Sequence, residues 1–134
     1  MSKGFTLLEV LLVISMVGIL AGFSMPVMVS AIAQNAERNA EALARSLLRT
    51  ARRNAYTGKQ ADEWSVRVEG NQIVMFLGDS FATRDQSFDI VQEVTFMDFP
   101  INQVTFEQGT GLTSDNGLDL GSTIIGVNQY GLLE

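Results

Sequence analysis

From Val10 to Val29 the chain carries no charged side chain. Those twenty residues, wound as a helix at about 1.5 Å each, reach about 30 Å, the thickness of a hydrocarbon core. Widened to residues 5–29, the stretch holds only Thr6, Glu9, Ser15, Ser24 and Pro26 as residues that are neither plainly apolar nor Gly. A membrane-spanning helix is the first expectation. Glu9 is then the anomaly, because an ionised acid at mid-bilayer costs on the order of 2.5 to 3.5 kcal/mol even on lenient insertion scales.

Helical periodicity continues past Val29. Ile32, Ala36, Leu43, Leu47 and Ala51 recur at three- and four-residue spacing with Leu48 and Ala55 beside them, and Glu37, Glu41, Arg45, Arg49 and Arg52 take the other faces. No Gly or Pro falls within residues 27–57. The pattern predicts one helix from about Phe5 to Tyr56, apolar all round in its first half and amphipathic in its second, stopped near Gly58.

Beyond it the period becomes two. "WSVRVEGNQIVMFLG" predicts a hairpin turning at "EGNQ". Further strands are expected in Ile90 to Phe96, in Val104 to Phe106, and in the pair "STIIGV" and "QYGLL". The fold class is α+β: a long hydrophobic-then-amphipathic helix with a small antiparallel sheet packed on its C-terminal half.

Composition narrows the chemistry. The chain of 134 residues has neither cysteine nor histidine, so disulfides, thiolate or imidazole metal sites and Ser-His or Cys-His nucleophiles are excluded. No carboxylate pair in the head has a spacing that suggests general acid and base roles, so an enzyme ranks last and no cofactor is expected. The net charge of −6 is divided. Residues 37–59 carry six basic side chains against two acids, a local +4, whereas residues 60–134 carry twelve acids against Arg67 and Arg84, a local −10. An acidic head argues against phosphate-driven nucleic-acid binding. Asp115, Asn116 and Asp119 in "TSDNGLDLGS" supply oxygens for a calcium loop, but the spacing departs from the EF-hand, and an Asn116-Gly117 hairpin turn explains the segment with nothing added.

Three readings of the N-terminus compete. A cleaved secretory signal has Lys3 as a thin basic region and "AIA" before Gln34 as a cleavage rule, yet its apolar run is too long and the helical stripe runs through the cut. A plain single-span anchor explains the length but not Glu9. The third reading comes from resemblance: "KGFTLLEVLLVISMVGILAGFSMP" closely resembles the type IV pilin signature, a short basic leader ending in Gly and followed by Phe, Thr, Leu and a Glu four residues after the Phe.

That resemblance implies a leader of residues 1–4 removed by a prepilin peptidase between Gly4 and Phe5, N-methylation of Phe5, and an assembly role for Glu9 with Thr6. It implies a filament-core or transmembrane helix over 5–29, its amphipathic continuation over 30–58 and a β-rich head over 59–134. Gly18, Gly22 and Pro26 read either as a small-residue packing face or as a segment that kinks and melts, since Pro26 removes an amide hydrogen that Gly22 would otherwise bind. The implied partners are other pilin or pseudopilin subunits, the peptidase and an inner-membrane assembly platform. The implied location is the bacterial inner membrane, single-pass with the head outside, and then a filament. Charge alone does not predict that orientation, because Lys3 on one flank faces Arg38, Arg45 and Arg49 on the other.

"LARSLLRTARRNAYTGKQ", the Trp-led strand and "IIGVNQYGLL" resemble the GspH/FimT type of minor pilin, whose helix ends in an Ala-Arg-x-x-Ala pattern, here Ala51, Arg52 and Ala55. Arg45, Arg49, Arg52 and Arg53 form either a solvated helix face or a contact with the acidic heads of neighbouring subunits. A secreted or membrane-tethered binding domain with no filament role is the alternative function.

Overall fold

The computed structural model describes residues 5–134, and for residues 23–27 the backbone only. It divides at Asn35 and Ala36 into two units, described separately below. Helix α1 spans Leu7–Tyr56, and the strands are β1 Trp64–Gly70, β2 Gln72–Leu77, β3 Ile90–Glu93, β4 Phe99–Phe106, β5 Gly117–Asp119 and β6 Ile124–Gly126.

In the N-terminal unit the helix starts at Leu7, two residues later than the apolar pattern alone suggests. Thr6 explains the offset: its carbonyl and hydroxyl both accept from the Glu9 amide, at 3.1 and 3.4 Å, which makes Thr6 the N-cap. Leu7, Leu8, Leu11, Leu12, Ile14, Val17, Ile19 and Leu20 are all exposed, so the apolar surface encircles the helix instead of forming a stripe. The Ser15 hydroxyl donates to the Leu11 carbonyl at 2.8 Å and so stays satisfied within the helix. Among the described residues no helix is long and apolar enough to cross a membrane. The expected span runs through residues 23–27, whose side chains lie outside the described residues.

The C-terminal unit is α+β. Four strands form an antiparallel sheet in the order β3-β2-β1-β4, and β5 and β6 form a second, two-stranded sheet. The hairpin of β1 and β2 pairs Glu69 with Gln72 across Gly70 and Asn71, where Gly70 takes the positive φ of +58° that such a tight turn needs. From β3 the chain crosses the tip of that hairpin, held by the Val94 amide donating to the Asn71 carbonyl at 2.8 Å, and reaches the far edge as β4.

Register decides what is buried. Trp64, Val66 and Val68 of β1 stand on the same face as Ile73 and Met75 of β2 and Val104 and Phe106 of β4. That face packs on Ala40, Ala44, Leu47, Leu48, Ala51 and Ala55 of α1, with Leu118, Leu120, Ile125 and Val127 completing the core. The helical stripe therefore begins at Ala40. Ile32, expected in it, belongs to the N-terminal unit and is exposed, and Ala36 is half-buried. Four of the six helix positions are alanine, and their small side chains let the sheet approach closely.

The helix stops where glycine permits. Gly58 adopts φ +64° and ψ 28°, and its amide and that of Gly109 both donate to the Ala55 carbonyl, at 3.0 and 2.7 Å. Three predicted features differ. The strand expected over Ile90 to Phe96 ends at Glu93, and Phe96 lies in a turn at φ +66°. Asn116-Gly117 is not the hairpin turn: Gly117 opens β5, and the chain reverses at residues 120–123, where the Leu120 amide donates to the Thr123 carbonyl. "QYGLL" forms no strand, and only Val127 and Leu133 bridge there.

Candidate functional site

The sequence points to two groups of residues, one at each end of α1. At the N-terminal end, Phe5 precedes the helix and is 79% exposed. Thr6 caps the helix, and Glu9 falls in its first turn, where a carboxylate is favoured by the unsatisfied amides of the helix start. Thr6 and Glu9 thus have the spacing of a capping box. Gly4 lies outside the described residues, as does the rest of the expected leader. Helical backbone continues through Gly18, Gly22 and Pro26. A Cβ added at Gly18 or Gly22 would meet nothing within 4 Å, so both present open surface to a partner. The Pro26 side chain lies outside the described residues.

At the other end, the four arginines separate. Arg45 is bound to Glu41 one turn earlier, Nε to Oε1 at 2.9 Å, and reaches the Glu134 carbonyl at 3.4 Å. Arg52 is half-buried, and its Nε donates to the Tyr130 carbonyl at 3.1 Å. Arg49 and Arg53 are exposed and form no hydrogen bond or ion pair through their side chains among the described residues. Two of the expected contact residues are thus partly committed within the head, and two remain available.

Arg49 and Arg52 also line a cleft of about 340 Å³ whose other wall is Gly131, Leu132 and Leu133. That wall is rigid for a local reason: the Asn128 carboxamide oxygen accepts the amides of Tyr130 and Leu132 at 3.1 and 3.0 Å. Gly131 sits at φ +72°, and a Cβ there would collide with the Gly111 carbonyl and Arg52. Sequence reasoning missed this cleft, and its one local signal is the Asn-x-x-Gly turn in "NQYG".

A second feature was also missed. Asp62, Glu63, Asp79 and Glu107 gather around an open hollow of about 560 Å³ with Gln108. Burial, and then the charges of Asp79, Asp62 and Glu107, push the Glu63 carboxyl above its ordinary value of 4.5. None of the four forms an ion pair among the described residues.

Two of the three candidate calcium residues, Asp115 and Asp119, have other work. The Asp115 carboxylate accepts the Thr105 amide of β4 at 2.7 Å, and Asp119 accepts the Gly121 amide at 2.7 Å. Among the described residues no group of three or more acidic side chains is arranged to hold a metal ion.

Residues 1–25 match the family model of the prokaryotic N-terminal methylation motif. No curated protein matches the chain significantly, and no solved structure does.

Proposed function

The chain is a type IV pilin-like protein of the kind that prepilin peptidase processes, and from that premise we propose that it is a structural subunit of a filament whose axial register is set by Glu9. The observation that carries the reading is the motif match over residues 1–25. Proteins of this class are structural and assemble with other pilin subunits. The proposed site of cleavage is the Gly4–Phe5 peptide bond, which frees the Phe5 amino group for methylation and discards Lys3 with the leader.

The physical role of Glu9 follows from that cut. The freed Phe5 ammonium and the Glu9 carboxylate share one layer of an apolar environment, where each charge alone is costly and a pair offsets much of the cost. Pairing Glu9 with the Phe5 ammonium of the preceding subunit fixes one axial height, because any slip leaves two buried charges unpaired. The apolar surface that encircles the helix from Leu7 to Leu20 suits both a bilayer and a core of packed helices. On this reading residues 5–29 span the inner membrane before assembly, with the head outside, and Gly18, Gly22 and Pro26 loosen the helix as it leaves the lipid.

Within the family, a minor subunit of the GspH/FimT type is the reading favoured by the helix ending at Ala51, Arg52 and Ala55 beneath a small sheet. The machine it serves is a type IV pilus, a competence pilus or a type II secretion pseudopilus, docked on an inner-membrane assembly platform. Glu9→Val tests the register role: the variant is expected to be processed normally and to be lost from filaments. Incorporation of Glu9→Val at the wild-type level would remove that role.

A further inference from the structure

The cleft of Arg49 and Arg52 is built for an anion. One wall is held by the Asn128 carboxamide and by the close approach of Gly131 to Arg52, so little ordering remains to be done on binding. Arg52 is oriented by its bond to the Tyr130 carbonyl, and Arg49, three residues earlier and on the same helical face, is exposed without a partner among the described residues. Leu132 and Leu133 line the opposite side. Two guanidiniums beside an apolar wall fit a carboxylate carried on a methylene stem, the head and stem of an Asp or Glu side chain.

The same chain supplies such carboxylates. Residues 60–134 carry a local charge of −10, and Asp62, Glu63, Asp79 and Glu107 crowd together with no cation paired to them among the described residues. Their mutual repulsion is relieved when a guanidinium enters; the raised proton affinity of Glu63 comes first from its burial and then from the charges of Asp79, Asp62 and Glu107. The cleft and the hollow have different linings, so a contact joining them is heterologous and need not close into a ring.

We propose that the Arg49 and Arg52 cleft receives an acidic side chain from the Asp62, Glu63, Asp79 and Glu107 hollow of a second copy, a heterologous contact between adjacent heads. The proposal rests on the pilin reading above and adds the partner and the chemistry of the arginine face.

The chain has no cysteine, so introduced thiols report without background. In full-length subunits assembled in their native cells, the Arg49→Cys/Asp79→Cys double variant is expected to give a disulfide ladder of dimers, trimers and larger species. The two single-cysteine variants are expected to give nothing beyond dimers. Arg49→Asp and Asp79→Arg should each lower incorporation about tenfold, equivalent to about 1.4 kcal/mol, and the two together in one chain should recover most of it.

Normal processing and incorporation without a ladder would overturn this contact and leave the filament reading standing. Crosslinking of Arg49→Cys to a different protein in place of a second copy would also overturn it. Subunits that keep Met1 and enter no filament would bring down both.

Discussion

The guanidinium of Arg84 lies 3.5 Å from the centre of the Phe81 ring. Arg67 stands 4.6 Å from the same ring, so an aromatic side chain on the outer face of the sheet lies close to two cations. Arg84 also holds Asp89, Nε to Oδ2 at 2.9 Å, with both side chains largely buried. These contacts order residues 78–89, a connection with little regular structure, over Phe76. Arg84→Ala removes the ring contact and leaves Asp89 unpaired, at an expected cost of about 2 to 4 kcal/mol in urea unfolding of the detergent-solubilised chain. Arg84→Lys should recover only part of it, because an ammonium cannot both stack and fork.

Leu48 is fully buried, whereas Ile32 is 41% exposed. Leu48→Ala is expected to destabilise the head by about 2 to 5 kcal/mol, the range for a cavity in a packed core. Ile32→Ala should leave the unfolding midpoint of the head unchanged. Equal effects of the two would mean that the helical stripe is misplaced.

What was legible along α1 and what was not have the same cause. Leu47, Leu48, Ala51 and Ala55 stand out by spacing, and Gly58 marks the stop because a left-handed residue was required there. Ala40 and Ala44 are weakly apolar and carried little signal, although they are fully buried. The hairpin of β1 and β2 was readable from its period of two and its Gly70 turn. The Arg84, Phe81 and Asp89 cluster was hidden in a segment with no period. The arginine cleft was hidden by distance, since Arg52 and Tyr130 meet from 78 positions apart. Glu9 needed no fold to be noticed, because one acid in an apolar run is visible in the sequence alone.

Glu63 gives the head a pH signature. Its folded-state pKa is raised, so the folded form holds this proton more tightly than the unfolded form. The stability it contributes is present at pH below 4.5 and is lost as pH rises through 4.5 to the raised folded value. Glu63→Gln should therefore raise the thermal midpoint at pH 7 relative to wild type, and the difference should vanish below the ordinary carboxylate range. A gain of the same size at pH 3 would contradict the assignment.

Gly131 admits no side chain. At φ +72°, Gly131→Ala combines left-handed strain with collisions against Arg52 and the Gly111 carbonyl. A loss of about 2 to 4 kcal/mol is expected by denaturant titration. Gly18→Ala, on open helix surface, should cost nothing in the same measurement.

The proposed function requires that this chain be cut after its leader and serve as a filament subunit. Intact mass with N-terminal sequencing of the native protein tests it most directly. The mature chain is expected to begin at N-methylated Phe5. A chain that begins at Gln34, or one recovered from filaments with Met1 still in place, would contradict it.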